Sequence, residues 1–357
     1  MGVAAIVLSL LADPLSLCYN PSIAPAESRS DASARQPRSG KLYQAASIKQ
    51  PPRGEMEPTR PSACRRRGCP IDHETMDRFA VLQLSGCAGC EVSLLNAGDW
   101  VAKHQLAYMP LIASAYHVGP VETLLVSGGV RTDEDHYNLR QAVRRADRVV
   151  AVGTCAISGG VASLGNRDDV REIFLAREKR RHVPRLLPRC HPIDAVVEVD
   201  RYLPGCPPTP ELFMAVLSDD PHFRPGRNVC RECGRQKLRD LRPSHLTGFQ
   251  KGEVLPDICL INQGYLCVGS SVRGGCRALC TRPGHPCVGC RGPSDAFIER
   301  EAEAWLTSIK RVFESMTDVP EAELDRALRC PQLALFLFQF SDYVGPEGAA
   351  RPREKML

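Results

Sequence analysis

No apolar run in this 357-residue chain approaches the roughly 20 residues that a membrane-crossing helix requires, so a direct membrane span is not expected. Charge of one sign is not in strong excess either: 46 Lys and Arg against 41 Asp and Glu leave +5. The basic surplus gathers in the first seventy residues and around Arg224–Arg242, which reads as solvated surface. Zinc-finger, homeodomain and aromatic RNA-reading patterns are missing, so nucleic acid is not an expected partner. Gly128-Gly129 and Gly159-Gly160 stand without the rest of a Walker or dinucleotide pattern, which argues against a nucleotide site. Gly2–Leu11 is apolar but lacks the basic start of a signal peptide. Arg65-Arg66-Arg67 lacks the following apolar segment of a twin-arginine signal.

Cysteine is what the chain has in quantity, with seventeen residues. Disulfide frameworks serve mainly small secreted domains with poor cores, and this chain is too long for that class. The cysteines cluster instead in ligand-like spacings, which points to thiolates kept reduced for metal and to a cytoplasmic compartment. Twelve fall into three sets of four: Cys87, Cys90, Cys155 and Cys206; Cys230, Cys233, Cys259 and Cys267; Cys276, Cys280, Cys287 and Cys290. Four thiolates are what a cubane iron–sulfur cluster requires. Cys230/Cys233 and Cys287/Cys290 taken alone fit zinc equally well, and spacing leaves open how the last eight divide. Cys18, Cys64, Cys69, Cys190 and Cys330 fit no set and read as spare thiols in loops or in the N-terminal segment, with His191 a loop histidine.

Residues 1–75, rich in Pro, Ser, Ala and Arg without apolar periodicity, are expected to be a disordered extension, with Met56 or Met76 as an alternative start. From Phe79 the pattern changes. Strands are expected at Phe79–Leu84, Thr123–Ser127, Arg148–Gly153 and Asp194–Tyr202, and helices at Glu91–Ala107, at Glu134–Ala146 behind a Thr132 capping pattern, and after Thr209-Pro210. Such alternation predicts a three-layer α/β domain over residues 76–222 with a parallel, flavodoxin-like sheet. Cys87, Cys155 and Cys206 each follow a strand, and loops after parallel strands converge at the carboxyl edge of a sheet. Residues 223–295 carry eight cysteines and little periodicity, so metal ligation is expected to supply the folding energy of a small irregular domain. Residues 296–357 form a helical segment, because Phe297, Glu301, Trp305, Ile309 and Phe313 recur every fourth position; Leu333–Phe340 reads as a packed terminal element. Glu91 and Glu211 read as plain helix-start carboxylates.

The stretches Ser85-Gly86-Cys87-Ala88-Gly89-Cys90-Glu91, Gly153-Thr154-Cys155 with Gly159-Gly160, and Leu203-Pro204-Gly205-Cys206-Pro207-Pro208 resemble the proximal-cluster motifs of nickel–iron hydrogenase small subunits. The run from Cys259 to Cys276, then Pro286-Cys287-Val288-Gly289-Cys290-Arg291-Gly292-Pro293, is similar to their two-cluster, ferredoxin-like domain. The likeness is to the soluble, methyl-viologen-reducing type. It implies three 4Fe-4S clusters: a proximal one on Cys87, Cys90, Cys155 and Cys206, a medial one on Cys276, Cys280, Cys287 and Cys290, and a distal one on Cys230, Cys233, Cys259 and Cys267. It further implies a partner large subunit holding the nickel–iron centre, and an acceptor subunit that is a flavin subunit reducing NAD, a heterodisulfide-reductase-like complex or a deazaflavin enzyme. No catalytic residue is expected on this chain. Membrane-bound relatives place His where this chain has Cys230, some carry proline for a medial cysteine where it has Cys280, and oxygen-tolerant ones add a cysteine where it has Gly89. An ordinary proximal cluster and oxygen sensitivity are therefore expected. The alternative resemblance is to the quinone-reductase iron–sulfur subunit of respiratory complex I, which has two adjacent cysteines where Ala88 and Gly89 separate Cys87 from Cys90.

Overall fold

Five parallel strands carry the fold. The computed structural model describes residues 77–98, 100–112, 117–166, 183–220, 227–248, 253–297 and 302–329. The expected N-terminal extension, the Leu333–Phe340 run and Cys18, Cys64, Cys69 and Cys330 lie outside the described residues.

β1 (Arg78–Gln83) pairs with β3 (Val121–Ser127), β3 with β5 (Ala146–Val152), and β5 with β7 (Arg201–Leu203), all in parallel. β2 (Gln105–Tyr108) lies on the other side of β1. Counting only these parallel strands along the chain, the order is 2-1-3-4-5, the flavodoxin-like arrangement. Every second residue faces the same side, so both faces of an apolar strand are buried. Ala80, Leu82, Leu124, Val126, Val149 and Ala151 share one buried cluster, with Leu139 and Ala142 of α3 (Asp133–Val143) and Ala156 and Ile157 of α4 (Gly153–Ser158). Phe79, Val81, Leu125, Val150 and Val152 share the other, with Leu94 of α1 (Gly89–Leu95) and Leu212, Phe213 and Val216 of α5 (Pro210–Leu217).

Two expected elements are corrected. The helix expected over Glu91–Ala107 stops at Leu95, where the turn formers Asn96 and Gly98 intervene. It is followed by one turn, α2 (Trp100–Lys103), and then by β2, because β1 otherwise has an open edge. The strand expected over Asp194–Tyr202 begins as a 3-10 turn, Ile193–Ala195, behind Pro192, and only Arg201–Leu203 joins the sheet. Asp200 bridges the difference: its carboxylate accepts from the Val149 N–H at 2.8 Å and its own N–H donates to the Val149 carbonyl.

The Thr132 capping box is present in full, with the Asp135 N–H donating to Oγ1 at 3.0 Å and the Thr132 N–H donating to the Asp135 carboxylate at 2.9 Å. Pro210 opens α5, although the Thr209 side chain makes no cap hydrogen bond. An antiparallel ribbon of β4 (Val130–Thr132) and β6 (Leu186–His191) carries Cys190 and His191. Cys190 is therefore a buried strand residue and His191 a strand-end one, where loop positions were expected.

Among the described residues from 227 to 297 regular structure nearly ceases: one short helix, α6 (Val229–Cys233), and one 3-10 turn, Ile261–Gln263. Side chains take over the pairing of loop carbonyls, as buried backbone must find partners. The Arg235 guanidinium donates to the carbonyls of Thr281 (2.6 Å), Leu255 (2.9 Å), Ile258 (2.9 Å) and Arg282 (3.1 Å). Asn262, 1% exposed, donates to the carbonyls of Leu238 and Leu241 and accepts from the Leu238 N–H. α7 (Ala302–Met316) packs Trp305, Ile309 and Phe313 into the same cluster as one sheet face, and the Trp305 indole N–H donates to the Ser271 carbonyl at 2.8 Å. The fourfold spacing read from Phe297 is thus helical from Ala302 onward. α8 (Glu321–Arg329) follows. No helix among the described residues is long and apolar enough to cross a membrane.

Candidate metal centre

Cys87 and Cys90 lie just beyond β1 at the start of α1, Cys155 in the first turn of α4 after β5, and Cys206 just beyond β7. Parallel pairing puts all three strand ends on one edge of the sheet, so residues more than a hundred positions apart meet there. The four thiols feel one another. The Cys90 thiol is pushed well above its ordinary value by burial, then by Glu91 and by Cys155, Cys206 and Cys87. Cys206 is pushed up to about 12 by burial, with Cys155, Cys290 and Cys87 adding to it.

Glycine makes room for these sulfurs at two positions. Gly153 has φ +79°, and a Cβ there would stand 2.5 Å from the Cys90 Sγ. At Gly160, φ +54°, a Cβ would stand 2.5 Å from the Cys155 Sγ. Only a residue without a side chain fits either place, because the backbone is left-handed and the space is already taken by sulfur.

The remaining eight thiols also lie near one another. Burial raises Cys230 to about 11, and Cys259 and Cys233 act on it. Cys267 is raised to about 12 by burial, with Cys230 and Cys259 adding and backbone N–H groups of Gly269 and Cys287 opposing. Cys290 is raised to about 11 by burial, with Cys276 and Cys280 among its neighbours, and Cys280 is raised by burial and Cys276. Cys287, raised well above its ordinary value by burial, feels Cys267 and then Cys290 and Cys276. Buried thiols crowded together resist ionisation, and a bound cation reverses that preference. A set of four such thiols therefore suits a cationic cluster that takes thiolates, and the residues present fit that group.

The sets also touch one another. The Cys206 backbone N–H acts on the Cys290 thiol against the effect of burial, and the Cys287 N–H donates to the Cys267 sulfur at 3.3 Å. The Thr154 hydroxyl lies 2.8 Å from the Cys290 carbonyl and 3.2 Å from that of Gly205. No disulfide joins any described cysteine. Among the described residues no three His, Cys, Asp or Glu side chains converge tightly enough to hold a single ion directly.

Two other groups at the site, Glu91 and Arg291, escape a reading of spacing alone. Glu91 is 2% exposed and accepts a short hydrogen bond from the Ser127 hydroxyl at the end of β3, so it is a buried carboxylate beside Cys90 and no mere solvated helix start. Glu211 does behave as a helix-start carboxylate: its own backbone N–H holds it below the ordinary range against burial, with Thr209 and Arg277 assisting. Its ion pair to Arg277 spans 3.2 Å and ties α5 to the Cys276 loop. Arg291, 1% exposed, follows Cys290 directly, and an arginine between a cysteine and Gly-Pro was its only trace in the sequence.

Residues 87–219 match the family described as NADH ubiquinone oxidoreductase, 20 Kd subunit. The G subunit of the F420-non-reducing hydrogenase vhu of Methanococcus voltae is 32% identical over 243 residues, covering 62% of this chain and 84% of the relative. Its namesake from Methanocaldococcus jannaschii is 30% identical over 264 residues, covering 68% and 91%. Among solved structures, a chain of the NAD+-reducing [NiFe]-hydrogenase in its H2-reduced state aligns at 33% identity and a TM-score of 0.37, over 42% of this chain and 95% of that one. With cysteines at three strand ends, and two relatives at this level matched over most of their length, the chain belongs to the family of F420-non-reducing hydrogenase G subunits, the small subunits of nickel–iron hydrogenases.

Proposed function

We propose that this hydrogenase subunit relays electrons through three 4Fe-4S clusters between the nickel–iron centre of a large subunit and an acceptor subunit. One observation supports the reading most directly: the strand-end thiols Cys87, Cys90, Cys155 and Cys206 act on one another at one edge of the sheet, with Cys290 acting on Cys206 and the Cys287 N–H bonded to the Cys267 sulfur. Cys87, Cys90, Cys155 and Cys206 would hold the proximal cluster. Cys276, Cys280, Cys287 and Cys290 would hold the medial one, and Cys230, Cys233, Cys259 and Cys267 the distal one. This sorting of the last eight is supported by the influence of Cys259 and Cys233 on Cys230, of Cys230 and Cys259 on Cys267, and of Cys276 on Cys280 and Cys290. Cys287 borders both sets, with Cys267 acting on it ahead of Cys290 and Cys276.

Each cluster, when bound, supplies a one-electron carrier. The chain's own work is to hold the carriers close, keep water away and set their potentials through amide–sulfur hydrogen bonds and burial. The domain division 76–222, 223–295 and 296–357 belongs to this reading, with the first portion carrying the proximal set. So does a cytoplasmic setting, which suits twelve reduced thiols.

The complex I-like reading has one observation in its favour, the match of residues 87–219 to the 20 Kd subunit family. That match ends before Cys230, leaving eight ligand-like cysteines unaccounted for. Replacing Cys87 by Ala tests the relay: hydrogen-dependent reduction of a viologen dye by the complex is expected to be abolished. Full retention of activity in C87A would refute the assignment of the first set.

A further inference from the structure

The junction between the first and third cysteine sets is built around one buried cation. Arg291 is 1% exposed, follows Cys290 and precedes the Gly292–Pro293 turn. Its Nε donates to the Gly274 carbonyl at 2.7 Å, two residues before Cys276. Its Nη1 donates to the Pro204 carbonyl at 2.5 Å, two residues before Cys206. One guanidinium thus fastens the loop that carries a proximal thiol to the loop that carries two medial ones. A planar fork with five donors suits that double attachment, and an ammonium cannot reproduce it.

The setting of this charge is uneven. Arg273, 4% exposed, lies near enough to repel it, and is itself paired to Asp295 at 2.5 Å. Glu232, whose carboxylate accepts from the Gly275 N–H at 2.5 Å, and the Cys276 and Cys290 sulfurs pull the other way. The segment is braced besides by Arg273 N–H to Gly292 carbonyl at 3.0 Å and Ser294 N–H to Ser271 carbonyl at 2.9 Å. The carbonyl bonds alone would serve packing. A full positive charge, kept from water beside the Cys276 and Cys290 thiols and bonded to the loop that carries Cys206, has an electrostatic consequence that packing does not require.

We propose that Arg291 is the positioning residue of this junction and that its fixed charge raises the reduction potentials of the clusters bound by the first and third cysteine sets. The proposal rests on the three-cluster reading above. Reduction adds one electron to a cluster and makes it more negative, while the guanidinium neither carries the electron nor gives up a proton. A nearby fixed cation stabilises the reduced form relative to the oxidised one, so the potential is higher with it than without it.

The test is a potentiometric titration followed by electron paramagnetic resonance, on the complex purified with its large subunit. In Arg291→Gln the reduced-to-oxidised ratio of the two flanking clusters, read at fixed potential, is expected to fall at least tenfold, a downward shift of about 59 mV for one electron. Arg291→Lys, which keeps the charge and loses the fork, is expected to stay within threefold of the parent. Unchanged midpoints in R291Q, or equal shifts in R291Q and R291K, overturn the proposal. Should R291Q not assemble, Arg291→Met fills similar volume without buried polar atoms and carries the same expectation. Should neither assemble, Glu232→Gln leaves the guanidinium and removes its anion, so the midpoints are expected to rise, and unchanged or lowered ones overturn the proposal. A parent complex with no cluster signals would instead contradict the three-cluster reading, whereas clusters at parental potentials in R291Q contradict only the role given to Arg291.

Discussion

At Gly153 a methyl group has nowhere to go. The backbone there is left-handed, φ +79°, and the Cys90 sulfur stands 2.5 Å from where a Cβ would be. Gly153→Ala is expected to cost about 1–2 kcal/mol from the backbone alone, read as a lower denaturation midpoint, and to remove the first cluster's signal while leaving the others. Glu91 fails differently. Its carboxylate accepts from the Ser127 hydroxyl inside the fold, so Glu91→Ala leaves a buried hydroxyl unsatisfied and is expected to destabilise by roughly 1–3 kcal/mol, with Glu91→Gln close to the parent in the same melt. That burial was illegible in the sequence because it depends on Ser127, thirty-six positions away and on another strand. The twelve cysteines, by contrast, were legible singly, since their spacing and flanking glycines are local properties.

Among the elements, the strands were easiest to read where apolar residues run unbroken, as in β3 and β5, because both faces of a central strand are buried. Edge structure was harder. β2 looks like the end of a helix by composition and becomes a strand only because β1 has an edge to fill. β7 is three residues long, and nothing local marks where the stretch from Asp194 joins the sheet. Residues 227–297 follow another logic: loops are held by Arg235 and Asn262 in place of a ladder and, on the proposed reading, by metal. Chelation of iron is therefore expected to deprotect amides across residues 227–297 in hydrogen exchange while β1, β3 and β5 stay protected, since aliphatic side chains of the strands and flanking helices make up most of their cores. Uniform retention of protection would show that the cysteine-rich loops fold without metal. Asn262→Ala removes two donors and an acceptor from buried backbone, and is expected to lower stability by about 1–3 kcal/mol per group left unpaired, measured by denaturant titration.

For the whole molecule, the proposed relay runs from the first set to the third and then to the second, past the Cys206–Cys290 and Cys287–Cys267 neighbours. This order differs from the order along the chain, which is why spacing alone left the last eight cysteines unsorted. A relay of this kind has no use in isolation, so a nickel-containing large subunit is expected to co-purify with the chain under anaerobic conditions. The most direct measurement is acid-labile sulfide counted per chain, with zinc determined in the same sample of that subunit pair. About twelve sulfides per chain and no zinc are expected from three cubane clusters. Zinc in place of sulfide, or about four sulfides with the later eight cysteines binding none, would contradict a three-cluster relay.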